Sequence, residues 1–223
     1  SKTAMGTAAL AGFPTIVPAN VLGKNAPSNK INIGQIGCGR IARSHDLRDT
    51  MAYDAAQIMA VCDLDSNRMK DGKELVDKFY QEKNGKPRYK GTKMYMDYRD
   101  MLNDKDIDAV MISTPDHWHS QPAMEAAMAG KDIYLQKPTS LTVDEGRQLV
   151  HAVQKNNVIL QVGTQQRAMP QFRIAAELVR NGRIGKLHTV KIGLPGDPGG
   201  PEAPAMPIPE NLNFDMWLGS TPE

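Results

Sequence analysis

The sequence has few of the features that mark small disulfide-stabilised proteins, membrane proteins or nucleic-acid-binding proteins. Its 223 residues include two cysteines, Cys38 and Cys62, which cannot build a disulfide framework and are predicted to be small buried residues. Aromatic residues make up 5% of the chain, so methionine and aliphatic side chains must fill the core. No apolar run reaches the roughly 18 residues of a transmembrane helix. No stable membrane insertion is therefore expected, and a net charge of +2 gives no reason to expect binding to nucleic acid or to an anionic membrane surface.

The first 29 residues differ in composition from the rest of the chain. Residues 4–21 form a mildly apolar stretch rich in Ala, Gly and Thr, and a polar hinge follows. The pattern resembles the apolar region of an export signal of the twin-arginine type, although the two arginines are absent. We therefore expect residues 1–29 to be the remnant of a signal peptide, and the protein to be exported to the periplasm. A flexible arm on a cytoplasmic protein is the alternative.

Between residues 30 and 163, short apolar runs alternate with amphipathic stretches. The predicted strands are Ile31–Gly37, Ala56–Asp63, Met94–Met96, Ala109–Ser113, Asp132–Leu135 and Val158–Val162. The predicted helices are Ile41–Met51, Ser66–Tyr80, Asp97–Leu102, Gln121–Ala129 and Val143–Lys155. Strict alternation of buried strands and helices predicts an α/β fold with a doubly wound parallel sheet of the Rossmann type.

The first predicted strand runs into residues 37–42, which read G-x-G-x-x-A. Gly37 allows a tight turn, Gly39 allows a pyrophosphate to approach the backbone, and the small Ala42 allows the helix to pack on the strand. The amino end of that helix then faces the phosphates. This turn predicts a dinucleotide-binding site.

Asp63 ends the second predicted strand, 24 residues beyond Gly39. A carboxylate at this place can accept hydrogen bonds from both hydroxyls of an adenosine ribose, which favours NAD as the cofactor. Arg68 follows in the next loop and is suited to a 2′-phosphate, so NADP stays open.

Polar clusters follow the last three predicted strands, at residues 114–119, 136–138 and 163–167. Because the carboxyl ends of parallel strands meet at one edge of a sheet, these clusters predict a site beside the cofactor. Lys137 is expected to be partly buried there and to move a proton or polarise a substrate hydroxyl. His117 and His119 lack further ligands at metal-binding spacing, so no metal is predicted.

The runs GQIGCGRIARSH, VCDLD, STPDHWH, AGKDIYLQKP and VGTQQR, in this order, resemble the Gfo/Idh/MocA oxidoreductases over residues 30–193. The resemblance implies hydride transfer between NAD(P) and a secondary hydroxyl of a sugar or cyclitol. It implies catalytic roles for Lys137 and His119 and a cis peptide bond between Lys137 and Pro138. Motif and resemblance together give the cofactor-binding residues as Gly37, Gly39, Arg40, Ile41, Ala42, Asp63, Arg68, Thr114, Pro115, His119, Gln136, Lys137 and Gln165.

Two features depart from the pattern of this family. Gln136 stands where the family has a glutamate before the lysine, which removes a negative charge that favours a protonated lysine. Residues 164–223 contain one predicted helix, Phe172–Asn181, one predicted strand, Leu187–Ile192, and an extended proline-rich loop, Leu194–Glu210. These elements cannot form the open antiparallel sheet of the family's second domain, so we expect the incomplete start of a substrate and oligomerisation domain. The full-length form is expected to be a homo-oligomer.

Three classes of function stay open on this sequence. The favoured one is an NAD(P)-dependent dehydrogenase acting on a sugar, glycoside or cyclitol. The second is a relative that cleaves glycosides through transient oxidation and elimination, and net NADH formation separates these two. The third is a non-catalytic nucleotide-binding module. A methyltransferase sheet could carry the glycine-rich turn, but it would not explain Lys137–Pro138.

Overall fold

The structure is a computed structural model that describes residues 29–84, 91–194, 196, 200 and 204–221. Residues 1–28, and with them most of the predicted export signal, lie outside the described residues. Export to the periplasm therefore stays a prediction. In the part of the chain that is described, no helix is both long enough and apolar enough to span a bilayer.

Strands and helices alternate along the chain as predicted. The strands are β1 (Ile31–Ile36), β2 (Ala56–Cys62), β3 (Lys93–Tyr95), β4 (Ala109–Ile112), β5 (Asp132–Gln136) and β6 (Leu160–Gly163). The helices are α1 (Leu47–Met51), α2 (Ser66–Asn84), α3 (Tyr98–Leu102), α4 (Ser120–Met128), α5 (Val143–Asn156), α6 (Gln165–Ala168), α7 (Pro170–Arg180) and α8 (Phe214–Leu218). A π-helical segment, Ala42–Asp46, precedes α1, and a 3₁₀ turn, Asp116–Trp118, precedes α4.

All neighbouring strands of the six-stranded sheet are parallel, in the order β3-β2-β1-β4-β5-β6. Ile36 at the end of β1 pairs with Cys62 of β2 on one side and with Ile112 of β4 on the other. The predicted doubly wound Rossmann fold is therefore confirmed. The direction of winding changes between β1 and β4, and sheets of this kind bind ligands outside the carboxyl ends of the strands at that point.

The sheet lies between two hydrophobic cores, so its central strand β4 is apolar on both faces. On β4, Val110 and Ile112 pack into the core on one face, while Met111 packs into the core on the other. Complete burial of an aliphatic side chain of this size contributes about 1.5–3 kcal/mol. Cys38 and Cys62 are buried as predicted, and burial raises the pKa of both thiols.

Most predicted elements differ from the observed ones by a few residues at their ends, but the strand predicted at Leu187–Ile192 is wrong. The structure describes these residues without regular secondary structure. A strand needs hydrogen bonds from a neighbouring strand, and none of the described strands pairs with this segment. The helix α7 before it is amphipathic, and its apolar side chains Phe172, Ile174 and Leu178 are exposed.

Candidate functional site

The glycine-rich turn after β1 has the geometry that its sequence predicts. Gly37 has a φ of +84°, and a Cβ atom there would lie 2.7 Å from the carbonyl oxygen of Ser113. No side chain other than hydrogen therefore fits at this position without strain. A Cβ atom on Gly39, by contrast, would meet no protein atom within 4 Å. The backbone at Gly39 is thus open to the approach of a ligand.

Asp63 follows β2 and lines a cleft, named here the first cleft. Its Oδ2 accepts a hydrogen bond of 2.6 Å from the backbone N–H of Cys38, and its Oδ1 accepts one of 2.8 Å from that of Asp65. Burial raises the pKa of Asp63, and these two hydrogen bonds oppose that rise. The first cleft is also lined by Gly37, Gly39, Arg68, Thr114 and Pro115.

Residues 211–219, named here the strap, return to the Rossmann sheet and form one wall of the first cleft. The backbone of Asn213 donates to the carbonyl of Leu64 at 3.0 Å, and Asn211 Nδ2 donates to Asp65 Oδ1 at 2.7 Å. The Trp217 carbonyl accepts from Trp118 Nε1 at 3.1 Å and contacts His117 Nε2 at 2.9 Å. These contacts place Met216 and Trp217 in the cleft wall, on the same cleft as Asp63.

A larger second cleft lies beyond Ser113 and Thr114, which line both clefts. Ile41, Asp46, Tyr134, Gln136, Lys137 and Gln165 line it. The Lys137–Pro138 peptide bond is cis, as the resemblance implies. The expectation that Lys137 is partly buried is wrong: its side chain is exposed, because the chain leaves the sheet at Gln136 and Lys137 begins the following loop.

His119 joins two loops from beneath the second cleft. It is 1% exposed, its Nε2 lies 2.9 Å from the carbonyl oxygen of Thr114, and its Nδ1 contacts the carbonyl oxygen of Pro138. With both ring nitrogens engaged by backbone carbonyls, the imidazole has no free position for a substrate. The geometry favours a positioning role for His119 over the predicted catalytic one.

The sequence profile of the Gfo/Idh/MocA family, described as an oxidoreductase family with an NAD-binding Rossmann fold, matches residues 31–164. The chain belongs to the Gfo/Idh/MocA family. Its Rossmann sheet is therefore an NAD(P)-binding sheet of an oxidoreductase family, and the two clefts lie at the edge where such sheets bind the dinucleotide.

The chain is similar to several oxidoreductases along part of their length. The chain is 35% identical to the uncharacterized oxidoreductase YrbE of Bacillus subtilis, over 74% of this chain and 44% of that protein. It is 28% identical to myo-inositol 2-dehydrogenase of Thermotoga maritima, over 84% of this chain and 52% of that protein. The WlbA dehydrogenase of Bordetella pertussis, solved with NADH and UDP-GlcNAcA, matches with 26% identity and a TM-score of 0.60 over 70% of this chain and 43% of WlbA. The chain thus spans about half the length of these relatives.

Most of the residues predicted for the Gfo/Idh/MocA cofactor site lie on one of the two clefts. Two do not: Arg40 lines a neighbouring surface groove with Arg43 and Arg48, and Ala42 is fully buried under the helix. Sequence reasoning missed Asp46, Tyr134, Met216 and Trp217. Of these, Tyr134 lies in the run AGKDIYLQKP, and Met216 and Trp217 lie in the run NLNFDMWLGSTP, which resembles the segment leading into the family's second domain. Within the described residues, no group of three or more His, Cys, Asp or Glu side chains could hold a metal ion.

The strap gives a testable prediction about cofactor release. Replacing Trp217 by alanine removes an aromatic wall of the first cleft, and NAD is expected to dissociate about five to ten times faster, on the scale of one aromatic contact. Stopped-flow displacement of bound NADH measures this rate. Leu218→Ala is the matched control, because Leu218 lies on the same helix but does not line the cleft. An equal effect of both substitutions would show a general loosening of the strap instead.

Proposed function

We propose that this chain is the cofactor-binding half of an NAD(P)-dependent oxidoreductase that moves hydride at a secondary hydroxyl of a sugar, glycoside or cyclitol. The observation that carries the proposal is the pair of clefts that meet at Ser113 and Thr114. One cleft presents the open backbone of Gly39 and the carboxylate of Asp63, and the other presents the exposed Lys137 and the buried amide of Gln136. A bound dinucleotide supplies the hydride acceptor in this arrangement.

The first cleft fits the adenosine half of the cofactor. Each carboxylate oxygen of Asp63 accepts one backbone N–H and keeps a second acceptor position, so both oxygens can receive ribose hydroxyls. Gly39 leaves room for the pyrophosphate at the start of the following helix. Arg68 lines the same cleft, and this keeps NADP as an alternative cofactor.

The second cleft fits the nicotinamide half and the reacting carbon of the substrate. Lys137 is exposed on it and, among the described residues, forms no ion pair, so its amine is available to a substrate hydroxyl. In oxidation, the carbon loses a hydride and Lys137 takes the hydroxyl proton; in reduction, both transfers reverse. His119 links the loops of Thr114 and Pro138 through its two ring nitrogens.

The first experiment is a calorimetric titration of this chain with NAD, NADP and S-adenosylmethionine, after a check for cofactor already bound. Saturable binding of NAD or NADP, and none of S-adenosylmethionine, is expected. Absence of binding and of retained cofactor would contradict the proposal for this chain.

The reaction itself is tested on the complete natural polypeptide that carries this chain, because the chain spans about half the length of its relatives. A panel of inositols, hexoses, nucleotide sugars and aryl glycosides is incubated with the preferred cofactor. Net formation of reduced cofactor with a free sugar or cyclitol supports a dehydrogenase. Release of the aryl group without net reduced cofactor would instead show transient oxidation followed by glycoside cleavage.

A further inference from the structure

Asp46 is a buried carboxylate that the mechanism above leaves unused. It ends the π-helical segment, is 7% exposed, and lines the second cleft. Segments of π-helix are rare and frequently occur at functional sites. Among the described residues, no Lys, Arg or His side chain forms an ion pair with Asp46. A buried negative charge without a cation is costly and calls for a partner in the cleft.

Two side chains donate hydrogen bonds to this carboxylate, and two further side chains donate hydrogen bonds to those two. Ser113 Oγ donates to Asp46 Oδ2 at 2.7 Å, and Gln136 Nε2 donates to Asp46 Oδ1 at 2.8 Å. Behind them, Gln35 Nε2 donates to Ser113 Oγ at 3.1 Å, and Gln165 Nε2 donates to Gln136 Oε1 at 3.0 Å. An ionised Asp46 accepts both of the bonds that reach it, one on each carboxylate oxygen. Burial raises the pKa of Asp46, and the bonds from Ser113 and Gln136 oppose the rise.

The position of Asp46 explains how glutamine is accommodated at the end of β5. A glutamate at position 136 would set a second carboxylate at hydrogen-bond distance from Asp46, and two such groups cannot both ionise at low cost. Gln136 avoids this conflict because its amide donates to Asp46. The cleft that Lys137 lines therefore still carries one buried carboxylate, supplied from the helical segment after β1 instead of from β5.

We propose that Asp46 is a positioning residue that fixes the Gln136 amide and gives the second cleft a negative charge favouring the oxidised, positively charged nicotinamide over the reduced, neutral one. The proposal rests on the proposed function, since it needs a nicotinamide in the second cleft. Asp46 itself exchanges no proton or hydride with the substrate.

The test compares the affinities of this chain for NAD⁺ and NADH, measured by calorimetry and by NADH fluorescence. Asp46→Asn removes the charge but keeps an oxygen for the Gln136 amide. We expect the ratio of Kd for NAD⁺ to Kd for NADH to rise about five- to twentyfold, as for one unit charge acting at short range in a partly hydrated site. In the double variant Asp46→Asn/Gln136→Glu, the two partners of this hydrogen bond exchange roles: residue 136 carries the carboxylate and residue 46 carries the amide. It is expected to restore the wild-type ratio.

Asp49→Asn is the matched control, because Asp49 is an exposed carboxylate that lines the same cleft. It lies on α1, three residues after Asp46. Its ratio should stay within about twofold of wild type, as expected for a solvated charge. An unchanged ratio in Asp46→Asn, or a double variant that is no better than Asp46→Asn, would overturn the proposal for Asp46. Failure of the wild-type chain to bind either form of the cofactor would instead refute the proposed function.

Folding is checked separately by circular dichroism and thermal unfolding. Asp46→Ser is the second neutral variant, since a small polar residue admits water to the site. The proposal requires its ratio to rise in the same direction as that of Asp46→Asn. If neither neutral variant folds, Asp46 is a purely structural residue and the proposal is wrong.

Discussion

Replacing Lys137 by methionine is expected to lower turnover by about 10²- to 10⁴-fold, the usual contribution of a positioned acid or base. Lys137 is exposed on the second cleft and forms no ion pair among the described residues, so the substitution removes the amine without leaving a buried partner unpaired. Affinity for NAD should change little, because the first cleft is untouched. The measurement is the rate of cofactor reduction by the complete polypeptide with the substrate found by the panel, together with calorimetry of this chain.

Two further variants separate proton transfer from a loss of charge. Lys137→Arg keeps the positive charge but cannot release a proton near neutral pH, so its turnover should be nearly as low as that of Lys137→Met. Lys105→Met is the control, because Lys105 is an exposed lysine that lines neither cleft. Wild-type turnover in Lys137→Arg would mean that Lys137 acts as a charge and not as a proton carrier.

The sheet could be predicted from the sequence because each strand carries its own local signal. The buried runs at Ala56–Cys62 and Ala109–Ile112 are apolar on both faces, as parallel strands between helices must be. The glycine-rich turn could also be predicted locally, because Gly37 adopts a left-handed conformation in which a side chain would clash. Asp63 could be predicted from its place at the end of the second strand. Local chemistry was sufficient for the part of the first cleft that Gly37, Gly39 and Asp63 form.

The second cleft was only partly predictable, because its decisive contacts join distant parts of the chain. Asp46 and Gln136 are 90 residues apart in sequence, and the hydrogen bond between them has no local signature. The π-helical segment that presents Asp46 lies inside a stretch that reads as an ordinary helix. The burial of His119 and the exposure of Lys137 likewise depend on how the loops after β4 and β5 meet.

The position of the strap could not be predicted from the sequence either, because its contacts join residues that are still further apart. Trp217 contacts Trp118 across 99 residues, and its place on the first cleft follows from backbone hydrogen bonds to Leu64 and Ser66. The strand predicted at Leu187–Ile192 was wrong for the complementary reason. Its β-branched, apolar composition is typical of a strand, but composition does not supply the neighbouring strand that a sheet requires.

Asp63→Ala is the prediction with the largest expected effect on cofactor affinity. Loss of two charge-assisted hydrogen bonds to ribose hydroxyls should weaken NAD binding by about 100-fold, from the usual strength of such bonds. NADP carries a phosphate in place of one of these hydroxyls, so its affinity should fall much less. The preference for NAD over NADP should therefore fall or reverse, and calorimetric titration with both cofactors measures this change directly.

The control for Asp63 is its neighbour Asp65, a carboxylate that accepts from Asn67 N at 2.9 Å and from the strap at Asn211 but does not line the first cleft. Asp65→Ala removes the same charge, and any loss of affinity through the strap should affect NAD and NADP equally. Acidification supplies an independent check. Because burial raises the pKa of Asp63 above its ordinary 3.8, NAD affinity should begin to fall at a higher pH than for an exposed aspartate. If Asp63→Ala weakened both cofactors to the same extent, Asp63 would hold the glycine-rich turn through Cys38 without reading the ribose.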